Sequence, residues 1–203
     1  MHSRFSILSS AIALTLSQGA WADNGEVAQH EEESIEVIKV YAQKRPQNIK
    51  DVAVATTSFN GDLVEKLEIK DTTQLAQMVP NVKTTNNAGE GTPPAFNIRG
   101  VGMIDYNTST VSPIAIYNDG IVSGSANNLS VNLYDMEYLE VLRGPQGTLF
   151  GRNTTGGAVL LRSKMPMPGE ETNGFISGTM AQQDHTNVTG AFATSISDNT
   201  AVR

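Results

Sequence analysis

Leu142-Arg143-Gly144-Pro145-Gln146-Gly147-Thr148-Leu149-Phe150-Gly151-Arg152-Asn153-Thr154-Thr155-Gly156-Gly157 is the stretch on which the fold turns. Its glycines permit positive φ and close chain approach, and Gln146 to Phe150 suits one helical turn. Tyr138-Leu139-Glu140-Val141-Leu142 before it reads as a strand, with Leu139 and Val141 alternating against Tyr138, Glu140 and Leu142. Ala158-Val159-Leu160-Leu161 after it reads as another. A phosphate-cradling loop is the rival reading. The stretch has no Gly-Lys-Ser/Thr, and no Gly-x-Gly-x-x-Gly opens a helix.

Upstream, the same short-element texture continues. Val52 to Phe59 suits a strand, and Asn60-Gly61-Asp62 can cap a helix carrying Leu63, Val64 and Leu67. Asp71-Thr72-Thr73 can cap a second helix with Leu75, Ala76, Met78 and Val79, ended by Pro80. Val82 to Thr85, Phe96 to Arg99 and Ile114 to Tyr117 read as short strands, and Asn118-Asp119-Gly120 as a tight turn returning to Ile121 and Val122. Asn86 to Pro94, Met103 to Pro113 and Ser123 to Leu129 are loops by composition. The fold class is α+β: a short mixed sheet with short helices and long loops, and long loops are usually functional or disordered.

The two ends differ from this middle. Residues 1–22 combine a weakly basic start, a mostly apolar run from Phe5 to Leu16 and the small-x-small site Ala20-Trp21-Ala22, which reads as a secretory signal peptide. Residues 23–47 read as a flexible linker. Asp23 to Glu33 is too polar and acidic to offset its own ordering entropy. Within that linker, Ser34 to Ala42 is β-branched and extended, either a first strand of the domain or a docking strand for another protein. Residues 48–168 form the α+β domain. From residue 169 on, Gly174 to Gln183 and Asn187 to Ser197 alternate large with small or polar side chains over about ten residues each, the length of a tilted membrane-spanning strand. An ordinary solvent-exposed hairpin would read the same way.

Composition removes several functions. The formal net charge of −7 argues against nucleic acid as a partner. With no cysteine there is no disulfide framework, thiolate metal site or thiol nucleophile. His30 and His185 lack a sequence-adjacent base, nucleophile or metal partner. The reading therefore assigns no catalytic residue, no metal site and no cofactor.

Taken in order, these segments resemble the TonB-dependent outer-membrane receptors. Ile35-Glu36-Val37-Ile38-Lys39-Val40-Tyr41 is similar to the TonB box, with Ala42 to Arg45 as its continuation. Gln47 to Ala55 resembles the opening of the plug domain, and Leu75-Ala76-Gln77-Met78-Val79-Pro80-Asn81-Val82 its helix-to-strand element. Phe96-Asn97-Ile98-Arg99-Gly100-Val101-Gly102 is similar to its central arginine-glycine motif. Ile114 to Gly120 and Met136 to Gly147 complete the series, which runs from Ile35 to Pro166.

The resemblance implies gated, energy-coupled import of a scarce nutrient, a ferric siderophore or another iron complex. It implies a TonB-type coupling protein as partner and the outer membrane of a Gram-negative bacterium as location. Ile35, Glu36, Val37, Ile38, Lys39, Val40 and Tyr41 would bind the coupling protein. Arg99, Arg143, Arg152 and Arg162 would pair with acidic residues of the barrel wall, or internally with Glu137 or Glu140. Asp105, Tyr106, Asn107, Ser123 and Asn127 would sit on ligand-facing loops. The family barrel has roughly 22 strands, of which residues 169–203 would supply a hairpin, the first two. An open edge of that kind leaves backbone groups unpaired in lipid, so the chain alone is expected not to transport. A standalone periplasmic binding protein derived from a plug, and a periplasmic enzyme, are the competing classes.

Overall fold

The computed structural model describes residues 38–85, 94–103, 110–123, 129–181 and 185–203. The expected signal peptide, the acidic stretch and Ile35 to Val37 lie outside the described residues.

The signature stretch is the connection between two neighbouring central strands. β9 (Met136–Arg143) and β10 (Gly157–Ser163) are antiparallel, with Gly157 opposite Arg143 and Val159 opposite Val141. Between them the chain folds back on itself: Gly144 N–H donates to Gly156 O at 3.1 Å and Gln146 N–H to Thr154 O at 2.8 Å. The single helical turn expected there is Gly147–Phe150. Gly157 has φ 154°, and a Cβ on it would sit 2.4 Å from Leu142 O, so this close return accepts no side chain.

Around this pair a five-stranded sheet forms in the order β3-β9-β10-β7-β8, with β3 at Ala55–Asn60, β7 at Ile114–Asn118 and β8 at Ile121–Val122. β10 runs parallel to β7; the other pairings are antiparallel. β7 and β8 are joined by Asp119 (φ 49°) and Gly120 (φ 83°), both left-handed as a two-residue hairpin turn requires. Val52 to Phe59, expected as one strand, is shortened at its start, and Val52 to Val54 are not strand. A 3-10 turn at Ile49–Asp51, capped by the Asn48 side chain, delays β3 until Ala55.

The two expected helices form where their caps stand. In α1 (Gly61–Lys66) the Asn60 side chain accepts from Leu63 N–H at 2.9 Å, and in α2 (Thr72–Met78) the Asp71 carboxylate accepts from Gln74 N–H at 2.8 Å. A second sheet follows: β4 (Val82–Thr85), β5 (Ala95–Ile98) and β6 (Val101–Gly102), all antiparallel.

The central sheet buries both faces. On one, Leu139, Val141, Val159, Leu161 and Phe59 pack with Val64, Leu75, Ala76, Phe96 and Ile98 of the helices and second sheet. On the other, Leu142, Ala158 and Leu160 pack with Ala42, Phe150, Val52, Val54 and Tyr117. Alternation along each strand separates these two sets.

Two differences from the sequence reading concern the ends. β1 (Lys39–Val40) pairs antiparallel with β2 (Gln47–Asn48), so residues expected within the flexible linker are folded onto the domain. Toward the C-terminus the structure has three strands where the sequence suggested two: β11 (Asn173–Ala181), β12 (His185–Ser197) and β13 (Thr200–Val202). β13 is too short to show an alternating pattern, and its pairing with β12 passes a register shift between Ser195 and Ser197.

Candidate functional site

Residues 38–42 lie against the central sheet. Ile38 is 48% exposed, and Lys39 is exposed too, whereas Val40 and Ala42 are fully buried. Tyr41 stacks on Tyr138 with centroids 4.7 Å apart and planes 7° from parallel. Its N–H donates to Glu140 Oε1 at 2.6 Å. Glu140 is itself fully buried in the middle of β9, and its Oε2 has no hydrogen-bond partner among the described residues. Burial pushes the Glu140 carboxyl up to about 7, and the Tyr41 N–H pulls back against this only in part. The neighbouring Tyr138 hydroxyl is also raised, first by burial and then by the Glu140 charge.

Arg143 ends β9 and donates from Nη1 to Pro80 O at 3.3 Å. Arg99 sits at the β5–β6 turn with φ 53°. Its Nη1 would lie 3.4 Å from a Cβ built on Gly144, which places it beside the start of the signature loop. Arg152 is exposed just beyond the loop's helical turn. Among the described residues, neither Arg99, Arg143 nor Arg152 has a carboxylate within 4.0 Å. Arg162 does: Nη1 is 3.9 Å from Asp119 Oδ1. Its acidic neighbour is thus Asp119, not Glu137 or Glu140. The Asp119 carboxylate also accepts from Ser163 N–H at 2.9 Å and from the Ser163 hydroxyl at 3.0 Å.

Of the expected ligand-loop residues, Asp105, Tyr106, Asn107 and Asn127 lie outside the described residues. Ser123 follows β8, and its N–H donates to Ile116 O at 2.7 Å.

The junction with the three-stranded sheet went unnoticed in the sequence. The Arg203 guanidinium grips both oxygens of Asp135 and donates from Nη1 to Asn173 Oδ1 at 3.1 Å. Tyr134 donates its hydroxyl to Gly190 O, and its ring lies 6.3 Å from that of Phe175. No motif marks Tyr134 and Asp135, because their partners lie 56 and 68 residues away. Glu140 did carry a signal: alternation in β9 puts it on the face of Leu142, which the structure buries.

The opposite face of the three-stranded sheet is apolar and bare. Ile176, Met180, Val188 and Phe192 are 82%, 87%, 66% and 62% exposed. Ile176 faces Gly190 across the β11–β12 pair, Phe192 faces Gly174 and Val188 faces Gly178.

Comparison with known proteins agrees with this architecture. The family described as TonB-dependent Receptor Plug Domain matches residues 48–158. The pesticin receptor of Yersinia enterocolitica serotype O:8 / biotype 1B is 25% identical over 163 residues, covering 79% of this chain and 23% of that protein. The ferrioxamine receptor of Yersinia enterocolitica is 31% identical over 99 residues, 42% of this chain and 14% of the receptor. Among solved structures, the ferric yersiniabactin uptake receptor FyuA from Yersinia pestis superposes with a TM-score of 0.63 at 23% identity, over 71% of this chain and 22% of that one. The open form of the ferric-catecholate import receptor Fiu from E. coli K12 does so with a TM-score of 0.57 at 26% identity, over 78% and 21%. The chain spans about a quarter of the length of the curated receptors it matches over most of its own length. These relatives are receptors, which sets the enzyme class aside. On the match across more than half of its residues, the chain belongs to the TonB-dependent receptor plug-domain family.

Proposed function

We propose that this chain is the plug region of an outer-membrane receptor that gates energy-coupled uptake of a scarce nutrient, with an iron chelate as the cargo class. The observation that carries the reading is a plug fold continuous with an antiparallel sheet whose far side bares Ile176, Met180, Val188 and Phe192. An apolar outer face on long tilted strands is what a barrel wall presents to lipid. The iron chelate is supported by relatives named for ferrioxamine and ferric yersiniabactin.

Residues 35–41 are the segment a TonB-type coupling protein grips. An extended β-branched stretch joins a partner's sheet edge through main-chain hydrogen bonds, so its sequence tolerance is broad but its N–H groups are essential. Arg99, Arg143 and Arg152, which have no carboxylate within 4.0 Å among the described residues, are the arginines left to pair with the barrel wall, where a planar guanidinium takes a carboxylate in two-pronged fashion; Arg162 pairs internally with Asp119. Asp105, Tyr106, Asn107, Ser123 and Asn127 stand on the ligand side.

The test is binding of the full chain to the periplasmic domain of the coupling protein, measured by calorimetry. Val37→Pro removes a main-chain donor and should abolish the heat of binding, whereas Val37→Thr keeps the donor and the β-branch and should preserve it. Equal binding by wild type and both variants would sink the assignment of the docking segment.

A further inference from the structure

Among the described residues, Glu140 is the charged side chain with no solvent exposure, and its surroundings do not reward it. A buried carboxylate is normally matched by several donors or by a cation. Glu140 has one donor, the Tyr41 N–H, from a residue 99 positions earlier. Its second oxygen has no partner among the described residues. Ser58 on β3 and Leu160 on β10 flank it in the sheet and carry no charge. The titratable groups nearby are Tyr41 on the docking segment and Tyr138 on its own strand. Arg162 on β10 acts on Tyr138, and Lys44 lies 5.4 Å over the Phe150 ring. None of these neutralises Glu140. An apolar residue would pack this face without the penalty, so the carboxylate needs a reason beyond stability.

Its one partner supplies that reason. The docking segment enters the fold as the first arm of a hairpin, with Ile49 N–H donating to Ile38 O at 3.0 Å and Lys39 and Val40 paired to Asn48 and Gln47. Tension on the chain before Ile38 loads these bonds one after another from the open end, because both arms leave the hairpin on the same side. The Tyr41–Glu140 bond comes next, and behind it lies Ala42, part of the cover over Leu142, Phe150 and Leu160. We propose that Glu140 is the release point of the docking segment: a positioning residue whose half-partnered buried carboxylate holds residues 40–42 on the sheet loosely enough for a pull from upstream to lift them. Lifting returns the carboxylate to water, so the ion that weakens the closed state is relieved by opening. A glutamine or a leucine there would lack this bias.

This inference rests on residues 35–41 being the pulled segment, but the tie is measured without a coupling protein, so either idea can fail alone. The experiment is amide hydrogen exchange on the full chain by NMR, corrected for intrinsic rates. It follows the Tyr41 N–H, with the Val159 N–H of the central sheet as reference. In the wild type, the protection of the Tyr41 N–H should fall at least about tenfold between pH 5 and pH 8, since ionisation favours the lifted state, and at every pH Tyr41 should stay less protected than Val159, as an opening short of unfolding requires. In Glu140→Gln the amide oxygen still accepts from Tyr41 but carries no charge, so protection should be flat with pH and higher than wild type at pH 8. A wild-type profile flat in pH overturns the proposal, and this arm needs no variant to fold. A glutamine profile that follows the wild type overturns it as well, as does equal protection of Tyr41 and Val159 in the wild type, which would mean that the segment leaves the sheet only when the whole fold opens.

Discussion

At the scale of single residues, two positions on β9 and β10 show how close packing and charge set the limits of the plug. Gly157 faces Leu142 O so closely that Gly157→Ala forces the strands apart. The substitution should cost about 1–3 kcal/mol, read as a lower urea midpoint with an unchanged slope. Glu140 has a native carboxyl pKa raised to about 7 from an ordinary 4.5. The native state therefore holds the proton more tightly than the unfolded chain does. Stability is greatest below the unfolded value and is lost as pH rises through the window from about 4.5 to about 7. Urea titrations at pH 4.5 and pH 7.5 should show the loss in the wild type. In Glu140→Gln the difference should shrink, with the variant gaining most at the higher pH. An unaltered pH difference in that variant would mean other groups dominate.

At the scale of elements, the helices stand where the sequence put their caps, and that makes them separable. Asp71 holds the start of α2 through Gln74 N–H, and Asp71 also bridges to Asn132 outside the strands. Asp71→Ala should lower stability by about 1 kcal/mol. Asn60→Ala, which removes the cap from α1, should do so by a similar amount, and the double variant should be additive because the caps share no partner. Thermal or urea denaturation of the four proteins checks this. Strong non-additivity would show that α1 and α2 fold as one unit.

At the scale of the molecule, the junction between the plug and the three-stranded sheet rests on Tyr134 and Asp135, which precede β9, and on Arg203, which follows β13. The Arg203 and Asp135 side chains are only 13% and 10% exposed, so truncating one leaves the other charge largely shut from water. Asp135→Ala should loosen β12 and β13 far more than the central sheet. Hydrogen exchange should show their amides losing protection while those of β9 and β10 keep theirs. Equal loss throughout would mean that the sheet and the plug open together.

Local chemistry is what the sequence by itself determined. Asn60 and Asp71 capped helices, Asp119-Gly120 made the hairpin turn, Pro80 ended α2, and alternation marked β9 and β10, because each of these acts between residues a few positions apart. The signature loop and the ordered motifs also pointed to the family that matches residues 48–158. The long-range pairings were decided only by the tertiary structure. Lys39 and Val40 joined Gln47 and Asn48 in a hairpin too short to show a period, and β13 was likewise too brief to announce itself. Glu140 read as one more polar residue in an alternating strand until the segment around Tyr41 and Ala42 covered its face. Asp135 found Arg203 across 68 residues. Burial of a charge and the partner it meets depend on which segments fold over it, and that is a property of the packed chain rather than of any window along it.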